Sequence, residues 1–155
     1  MKKESDNYQF ALNMTKELLN SLIQGLEKTE IDLETRKEIM EYCGQACAKL
    51  YGHLDIAEKI AEEASTVQEI LSQFNAVPWC GKWYKKGDTI QAECSRCGCP
   101  LVQNNIISLS ETLCLCSRGW VGAVFEKLFK KPVEVELASS IGKKDKICQF
   151  VVRFP

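Results

Sequence analysis

Apolar residues recur every three or four positions through the first half of the chain, the spacing that places them on one face of an α-helix. In the first segment these residues are Phe10, Ala11, Met14, Leu18, Leu22 and Leu26. The same pattern predicts a second helix over residues 32–51 and a third over residues 54–61. Ser65 and Gln68 have the spacing of a capping box, which predicts a short fourth helix running through Phe74.

After Pro78 the pattern changes to the alternation of apolar and polar residues that is typical of half-buried β-strands. Lys85-Lys86-Gly87-Asp88 is a polar turn that joins two predicted strands into a hairpin. The predicted elements are strands over 79–84 and 89–94, a helix over 117–129, and strands over 133–137 and 147–154 around a turn at 142–145. Helices followed by an antiparallel sheet predict an α+β fold.

The composition fits one globular domain over residues 1–155, with a helical half (1–76) and a cysteine-rich α+β half (77–155). The chain has 155 residues, of which 45% are hydrophobic and 26% are charged, enough to bury a core of its own. The formal net charge is −1 with both signs interspersed. Because no basic face can be inferred from this balance, nucleic-acid binding is not expected.

The distribution of apolar residues predicts a cytoplasmic protein that does not enter a membrane. Met1-Lys2-Lys3 is followed by polar residues, unlike a signal peptide. No run approaches the roughly 18–20 apolar residues of a membrane span. Thiols stay reduced in the cytoplasm, so nine cysteines, an odd number, point to metal binding, redox chemistry or burial before a disulfide framework.

Six of the cysteines lie in the second half and are candidate metal ligands: Cys94, Cys97, Cys99, Cys114, Cys116 and Cys148. Thiolates are soft ligands that favour zinc and iron–sulfur clusters, and structural zinc takes four ligands. The Cys94-x-x-Cys97 spacing allows two sulfurs to hold one ion. Cys114-x-Cys116 is interpreted as part of a strand, whose alternation would point only one of the two sulfurs at the site.

Other uses of the cysteines remain open. Cys99-Pro100 resembles the end of a ferredoxin cysteine run, which makes an iron–sulfur cluster the alternative to zinc. A thiol-redox role for Cys94, Cys97 or Cys99 is a further hypothesis, and plain burial as small apolar side chains is another. Cys43 and Cys47 are four residues apart on one helix face, so they form a possible second thiol site or part of the apolar stripe.

Four stretches between residues 114 and 150 carry a resemblance to a known family. They are Cys114-Leu-Cys116-Ser-Arg-Gly119-Trp120-Val-Gly122, Phe125 to Phe129, Lys131-Pro132-Val133-Glu134-Val135-Glu136 and Asp145-Lys146-Ile147-Cys148-Gln149-Phe150. They resemble the C-terminal part of the 4-vinyl reductase family of small-molecule-binding domains. In fold this family is similar to nitric-oxide-sensing haem domains and to vesicle-tethering proteins, and its members include the sensory domains of aromatic-responsive transcription activators.

The resemblance implies a zinc site and a ligand pocket. In the phenol-sensing members three cysteines and a glutamate hold zinc beside the pocket, and these positions correspond here to Cys114, Leu137, Ser140 and Cys148. We therefore expect Cys114 and Cys148 to be joined by two further ligands from Cys94, Cys97, Cys99 and Cys116. A pocket for a small apolar or aromatic molecule between helices and sheet is implied as well. Its candidate lining residues are Tyr51, Trp79, Trp83, Trp120, Phe125 and Phe129.

The sequence thus predicts a sensor or carrier domain for a small molecule, with a cysteine-ligated metal. The alternative is a thiol-redox or iron–sulfur protein. Catalysis is not expected. His53, the single histidine, is a candidate helix cap or surface residue, with base catalysis or haem ligation as its alternatives, and glycine-rich phosphate loops are absent. Any output would pass through a protein partner or a homodimer, for which Met14, Leu18 and Leu22 are a candidate seam.

Overall fold

A computed structural model describes residues 2–78 and 81–155, with side chains from residue 7 onward. Trp79, one of the predicted pocket residues, lies outside this part of the chain. The described residues form α1 (Lys2–Lys28), α2 (Leu33–Leu50), α3 (His53–Glu63), α4 (Val67–Ala76), β1 (Lys82–Lys86), β2 (Thr89–Cys94), α5 (Pro100–Gln103), α6 (Glu111–Phe129), β3 (Glu134–Ser139) and β4 (Cys148–Arg153). The predicted α+β fold is confirmed.

Side-chain caps fix the starts of α2 and α4. Asp32 accepts a hydrogen bond from the backbone N–H of Thr35 and begins α2 at the predicted place. The capping box of α4 is formed by Thr66 and Glu69. The prediction of Ser65 and Gln68 was therefore wrong by one residue, since the Glu69 side chain accepts from the backbone N–H of Thr66 and the Thr66 hydroxyl accepts from the backbone N–H of Glu69.

The prediction that α6 begins at residue 117 was wrong, and so was the strand at Cys114 and Cys116. The hydroxyl of Ser110 accepts from the backbone N–H of Leu113, and Glu111 lies in the first turn, where its charge suits the helix dipole. Both cysteines are consequently helical. Residues two apart on a helix lie about 200° apart around its axis, so the two sulfurs still point in different directions.

The four strands form one antiparallel sheet in the order β1-β2-β4-β3. A 3₁₀ turn (Ile141–Lys143) lies between β3 and β4. In the β2–β4 pair, Cys94 lies directly opposite Cys148. The sheet therefore brings together two cysteines that are far apart in the sequence.

Helix α6 lies between the sheet and α2. Its apolar residues contribute to the main core, which is formed with α3, α4 and the buried face of the sheet. A second cluster joins α1, α2 and the start of α6 through Ile23, Met40, Ile107, Leu113 and Leu115. None of the described helices is long and apolar enough to cross a membrane.

Helices α2 and α6 cross at two glycines. A Cβ atom at Gly44 would overlap the carbonyl oxygen of Cys116, and one at Gly119 would overlap the carbonyl oxygen of Glu41. Because glycine has no Cβ atom, each of these positions leaves room for the backbone of the opposite helix. The sequence-based helix predictions did not identify this contact, because a glycine within a helix carries no sign of what packs against it.

Candidate functional site

An aromatic cluster lies at the centre of the main core. The Trp83 ring of β1 has its centroid 4.5 Å from that of Phe125 in α6, 6.0 Å from that of Phe74 in α4, and 5.8 Å from that of Phe150 in β4. Only 2% of Trp83 and none of Phe125 is exposed. Two helices and the sheet therefore converge on one indole ring.

The indole nitrogen of Trp83 is buried and makes no hydrogen bond with the described residues. The backbone of Trp83 is satisfied, because its N–H donates to Asn75 Oδ1 at 2.8 Å and its carbonyl accepts from Asn75 Nδ2 at 2.7 Å. An unsatisfied buried donor costs about 1–3 kcal/mol. Trp83 Nε1–H is thus a polar group, enclosed by aromatic rings, to which an acceptor could bind.

Two other predicted pocket residues lie together near the start of α3. Trp120 Nε1 donates a hydrogen bond to His53 Nδ1 at 2.8 Å. Tyr51, which is largely exposed, stacks on the His53 ring at 5.8 Å. Burial lowers the pKa of His53, which favours the neutral ring that can accept this hydrogen bond. His53 begins α3, whereas the N-cap is Gly52.

Phe129, the remaining predicted pocket residue, extends the aromatic cluster toward the C-terminus. Its ring stacks on Phe125 at 5.9 Å and meets Phe154 edge-on at 5.0 Å. Phe74, Phe150 and Phe154, which were not among the predicted pocket residues, belong to the same cluster. Their apolar periodicity identified core positions, and core and pocket positions share that periodicity.

Two clefts lie beside α6 on the surface. The first, of about 410 Å³, is bordered by α2, α6 and β3, and the Arg118–Glu41 ion pair (3.2 Å) lies in its wall above Gly122. The second, of about 570 Å³, is bordered by α2, α3 and α6 and includes Tyr42 and Leu54. None of the predicted aromatic pocket residues that the structure describes borders either cleft.

The predicted metal-ligating cysteines fall into two neighbouring groups. The strand-end group contains Cys94, Cys97, Cys114 and Cys148. Cys94 and Cys148 face each other across β2 and β4. Cys148 and Cys97 are close enough to Cys114 to raise its pKa by charge repulsion.

The turn after β3 supplies hydrogen bonds to two sulfurs of the strand-end group. The backbone N–H of Ile141 donates to Cys148 Sγ at 3.4 Å. The backbone of Gly142 and the side chain of Ser140 hydrogen-bond to Cys114 and lower its pKa. Burial of Cys114 has the larger effect, so the pKa of this thiol is raised overall. Ser140, one of the ligand positions implied by the resemblance, is therefore next to Cys114, whereas Leu137 packs against the main core.

The helix-crossing group contains Cys43 and Cys47 of α2, Cys99 at the start of α5, and Cys116 of α6. Burial strongly raises the pKa of Cys116, and the nearby Cys99 and Cys47 raise it further. Burial likewise raises the pKa of Cys47. The possible second thiol site at Cys43 and Cys47 is thus placed beside two of the six predicted metal ligands.

Burial favours the protonated thiol at Cys47, Cys114 and Cys116. Raised pKa values at Cys47, Cys114 and Cys116 reduce the thiolate that nucleophilic and redox reactions require. Across residues 2–78 and 81–155, no group of three or more histidine, cysteine, aspartate or glutamate side chains is arranged to hold a metal ion. The metal and pocket assignments made from the sequence therefore remain predictions.

The sequence matches one family model over almost its whole length. Residues 4–153 match a family of unknown function, DUF6144. No curated protein matches the chain. The 4-vinyl reductase resemblance is therefore not supported as a family assignment.

Solved structures with a similar fold include a ligand-sensing domain. The phenol-responsive sensory domain of the transcription activator PoxR, in complex with phenol, superimposes with a TM-score of 0.54 at 12% identity, covering 90% of this chain and 74% of that one. A vinyl-4-reductase family protein from Methanocaldococcus jannaschii matches with a TM-score of 0.38 at 11% identity, covering 86% of this chain and 88% of that one. The likeness to the PoxR domain establishes a shared fold.

Proposed function

The chain belongs to the DUF6144 family of unknown function, and we propose that it is a sensor or carrier domain for a small molecule. The ligand has an apolar, typically aromatic body and one hydrogen-bond acceptor. The observation that carries this proposal is the indole N–H of Trp83, which is buried among aromatic rings without an acceptor among the described residues. A ligand that supplies the acceptor removes the cost of that unsatisfied donor.

The fold comparison supports the class of ligand. The PoxR sensory domain binds phenol, a single aromatic ring with an oxygen that can accept from an indole N–H. At 12% identity the comparison transfers the fold alone. The assignment to this chain therefore depends on Trp83 and its aromatic neighbours.

Binding at the aromatic cluster requires the core to open. Phe125 and Phe129 stack on one another beside Trp83, so a ligand reaching Nε1 must displace at least one ring from its present contact. A ligand that binds only the folded protein stabilises it by an amount that grows with the logarithm of its concentration relative to the dissociation constant. Binding of the ligand at the aromatic cluster would thus change the packing of α6 against the sheet.

Phenol and other monocyclic aromatics with one hydroxyl or carbonyl group are expected to raise the melting temperature, and Trp83→Phe is expected to weaken their binding about tenfold. A tenfold change corresponds to about 1.4 kcal/mol, the net value of one buried hydrogen bond. Phenylalanine keeps an aromatic ring and removes only the donor and the second ring. Calorimetric titration of wild type and variant measures the ratio of the two dissociation constants.

Gly122→Leu is the matched control for this titration. A Cβ at Gly122 meets only Val135 Cγ2, at 3.8 Å, so a larger side chain fills the 410 Å³ cleft without disturbing the aromatic cluster. The affinity of Gly122→Leu for these aromatic compounds should equal that of wild type. Loss of binding in Gly122→Leu with retention in Trp83→Phe would place the ligand in the cleft, and no binding by any of these compounds would contradict the proposed function.

We further propose that the strand-end group of cysteines binds one zinc ion, with Cys114 and Cys148 as its fixed ligands. Thiols that receive backbone hydrogen bonds are suited to binding as thiolates, and the Ile141 and Gly142 backbone supplies them here. Cys94 and Cys97 are the remaining ligands. Zinc would draw the four sulfurs together and fix the turn after β3, a structural role.

Protein purified anaerobically is expected to contain one zinc per chain, and Cys114→Ser or Cys148→Ser is expected to remove most of it. A serine hydroxyl is a poor substitute for a thiolate as a zinc ligand. Elemental analysis by mass spectrometry gives the stoichiometry. Cys43→Ser, in the helix-crossing group, is the control and should retain the metal.

Metal-free wild-type protein would contradict the zinc proposal. Iron with visible absorbance would instead support the iron–sulfur alternative. Loss of zinc from Cys43→Ser but not from Cys148→Ser would assign the metal to the helix-crossing group.

A further inference from the structure

Helix α1 has two apolar faces, and its own protomer covers only one of them. On the covered face, Leu19, Ile23 and Leu26 pack into the second core cluster. The Asn20 side chain donates a hydrogen bond to the carbonyl of Ile106 and accepts one from the backbone N–H of Ser108. The other face carries large apolar side chains at four-residue spacing. They are Phe10, Met14, Leu18 and Leu22, which are 66%, 48%, 64% and 60% exposed, with Tyr8 beside them at 71%.

The area of this second face is that of a dimer interface. Taking roughly 200 Å² for a fully exposed large side chain, the five residues expose about 600 Å² per chain. That equals the upper end of the largest apolar patch on a typical monomer, about 300–600 Å². Two such faces together bury about 1,200 Å², where stable protein interfaces begin.

Gly25 is a second and independent observation on the same face. It lies within α1, where glycine is the poorest helix former apart from proline, and a Cβ atom placed there would have no neighbour within 4 Å. Nothing in the protomer therefore requires a glycine at this position. The close approach of another helix would require one.

We propose that α1 pairs with α1 of a second copy of this chain in an antiparallel, two-fold symmetric dimer centred on Leu18. In that register Met14 meets the partner's Leu22, and Gly25 meets the partner's Ala11, a pair of small residues that lets the helices approach. A two-fold interface uses the same surface on both chains, and this stripe is complementary to itself about Leu18.

Wild-type protein is expected to sediment as a dimer at micromolar concentration, and Leu18→Glu or Leu22→Glu as a monomer. Each substitution would place two like charges in the apolar centre of the pair. Gly25→Leu tests the close approach of the two helices separately. Leucine is a better helix former than glycine, so the helical content should not fall. The dimer should nevertheless weaken roughly tenfold or more. Analytical ultracentrifugation with circular dichroism gives both quantities.

Gln24→Glu is the charge-matched control, since Gln24 is exposed on α1 away from both apolar faces, and it should remain dimeric. A monomeric wild type would overturn the proposal, whether or not the protein binds lipid vesicles or another protein through this face. A dimer that survives both Leu18→Glu and Gly25→Leu would place the interface elsewhere and overturn it as well.

Discussion

Replacing Gly119 with alanine is expected to lower the free energy of unfolding by about 3 kcal/mol, the upper range for forcing extra volume into a packed contact. The added Cβ would overlap the Glu41 carbonyl oxygen and lie 2.6 Å from Glu41 Cα. Backbone atoms of a helix cannot rotate away as a side chain can. Helices α2 and α6 would therefore have to separate along their whole crossing. Gly44→Ala, at the opposite side of the same crossing, should be similarly destabilising.

Gly122→Ala is the control for this prediction, on the same helix and one turn away. Its Cβ meets only the end of the Val135 side chain, so the variant should gain up to about 1 kcal/mol from better helix propensity. Urea unfolding of wild type, Gly119→Ala and Gly122→Ala measures the differences between their free energies of unfolding. Equal stability of Gly119→Ala and Gly122→Ala would show that the two helices do not cross at their glycines.

Phe125→Ala is expected to cost about 4 kcal/mol, as for other buried phenylalanines truncated in a packed core. The Phe125 side chain has no exposed surface, and its ring contacts Trp83, Phe74 and Phe129. Alanine would leave a cavity that these rings fill only in part. The shift of the denaturant concentration at the unfolding midpoint gives the loss in free energy of unfolding. The slope of that free energy against denaturant concentration should be unchanged.

Leu50→Ala provides the comparison for Phe125→Ala. Leu50 is 82% exposed, and surface substitutions usually change stability by less than about 0.5 kcal/mol. If Phe125→Ala costs no more than Leu50→Ala, the ring already borders an open space. The ligand would then enter the cluster without displacing a packed side chain, and the coupling between binding and α6 packing would be lost.

Local patterns in the sequence predicted most of the fold. The apolar periodicity of α1 and α2 and the Asp32 cap depend on neighbouring residues alone. The alternation over residues 89–94 predicted β2 with the same bounds. Such signals act over one or two turns of helix or one strand, and they are readable without knowing what packs against them.

The parts that sequence reasoning missed depend on distant contacts. Leu113-Cys114-Leu115-Cys116 alternates like a strand when cysteine is counted as a polar ligand. It forms a helix whose Cys114 faces the turn after β3, with Cys116 near the cysteines of α2. The division of six cysteines between two groups follows from that helix. The missing acceptor at Trp83 is likewise a property of its three-dimensional surroundings.

The most direct test of a ligand at Trp83 is the NMR signal of its indole N–H in ¹⁵N-labelled protein, assigned by its disappearance in Trp83→Phe. A new hydrogen bond moves the proton resonance downfield. We predict that titration with phenol moves the Trp83 indole signal downfield with saturation, together with amide signals of Phe125 and Phe150. A saturable response confined to the cleft residues around Gly122, with the Trp83 indole signal unchanged, would contradict the proposed site.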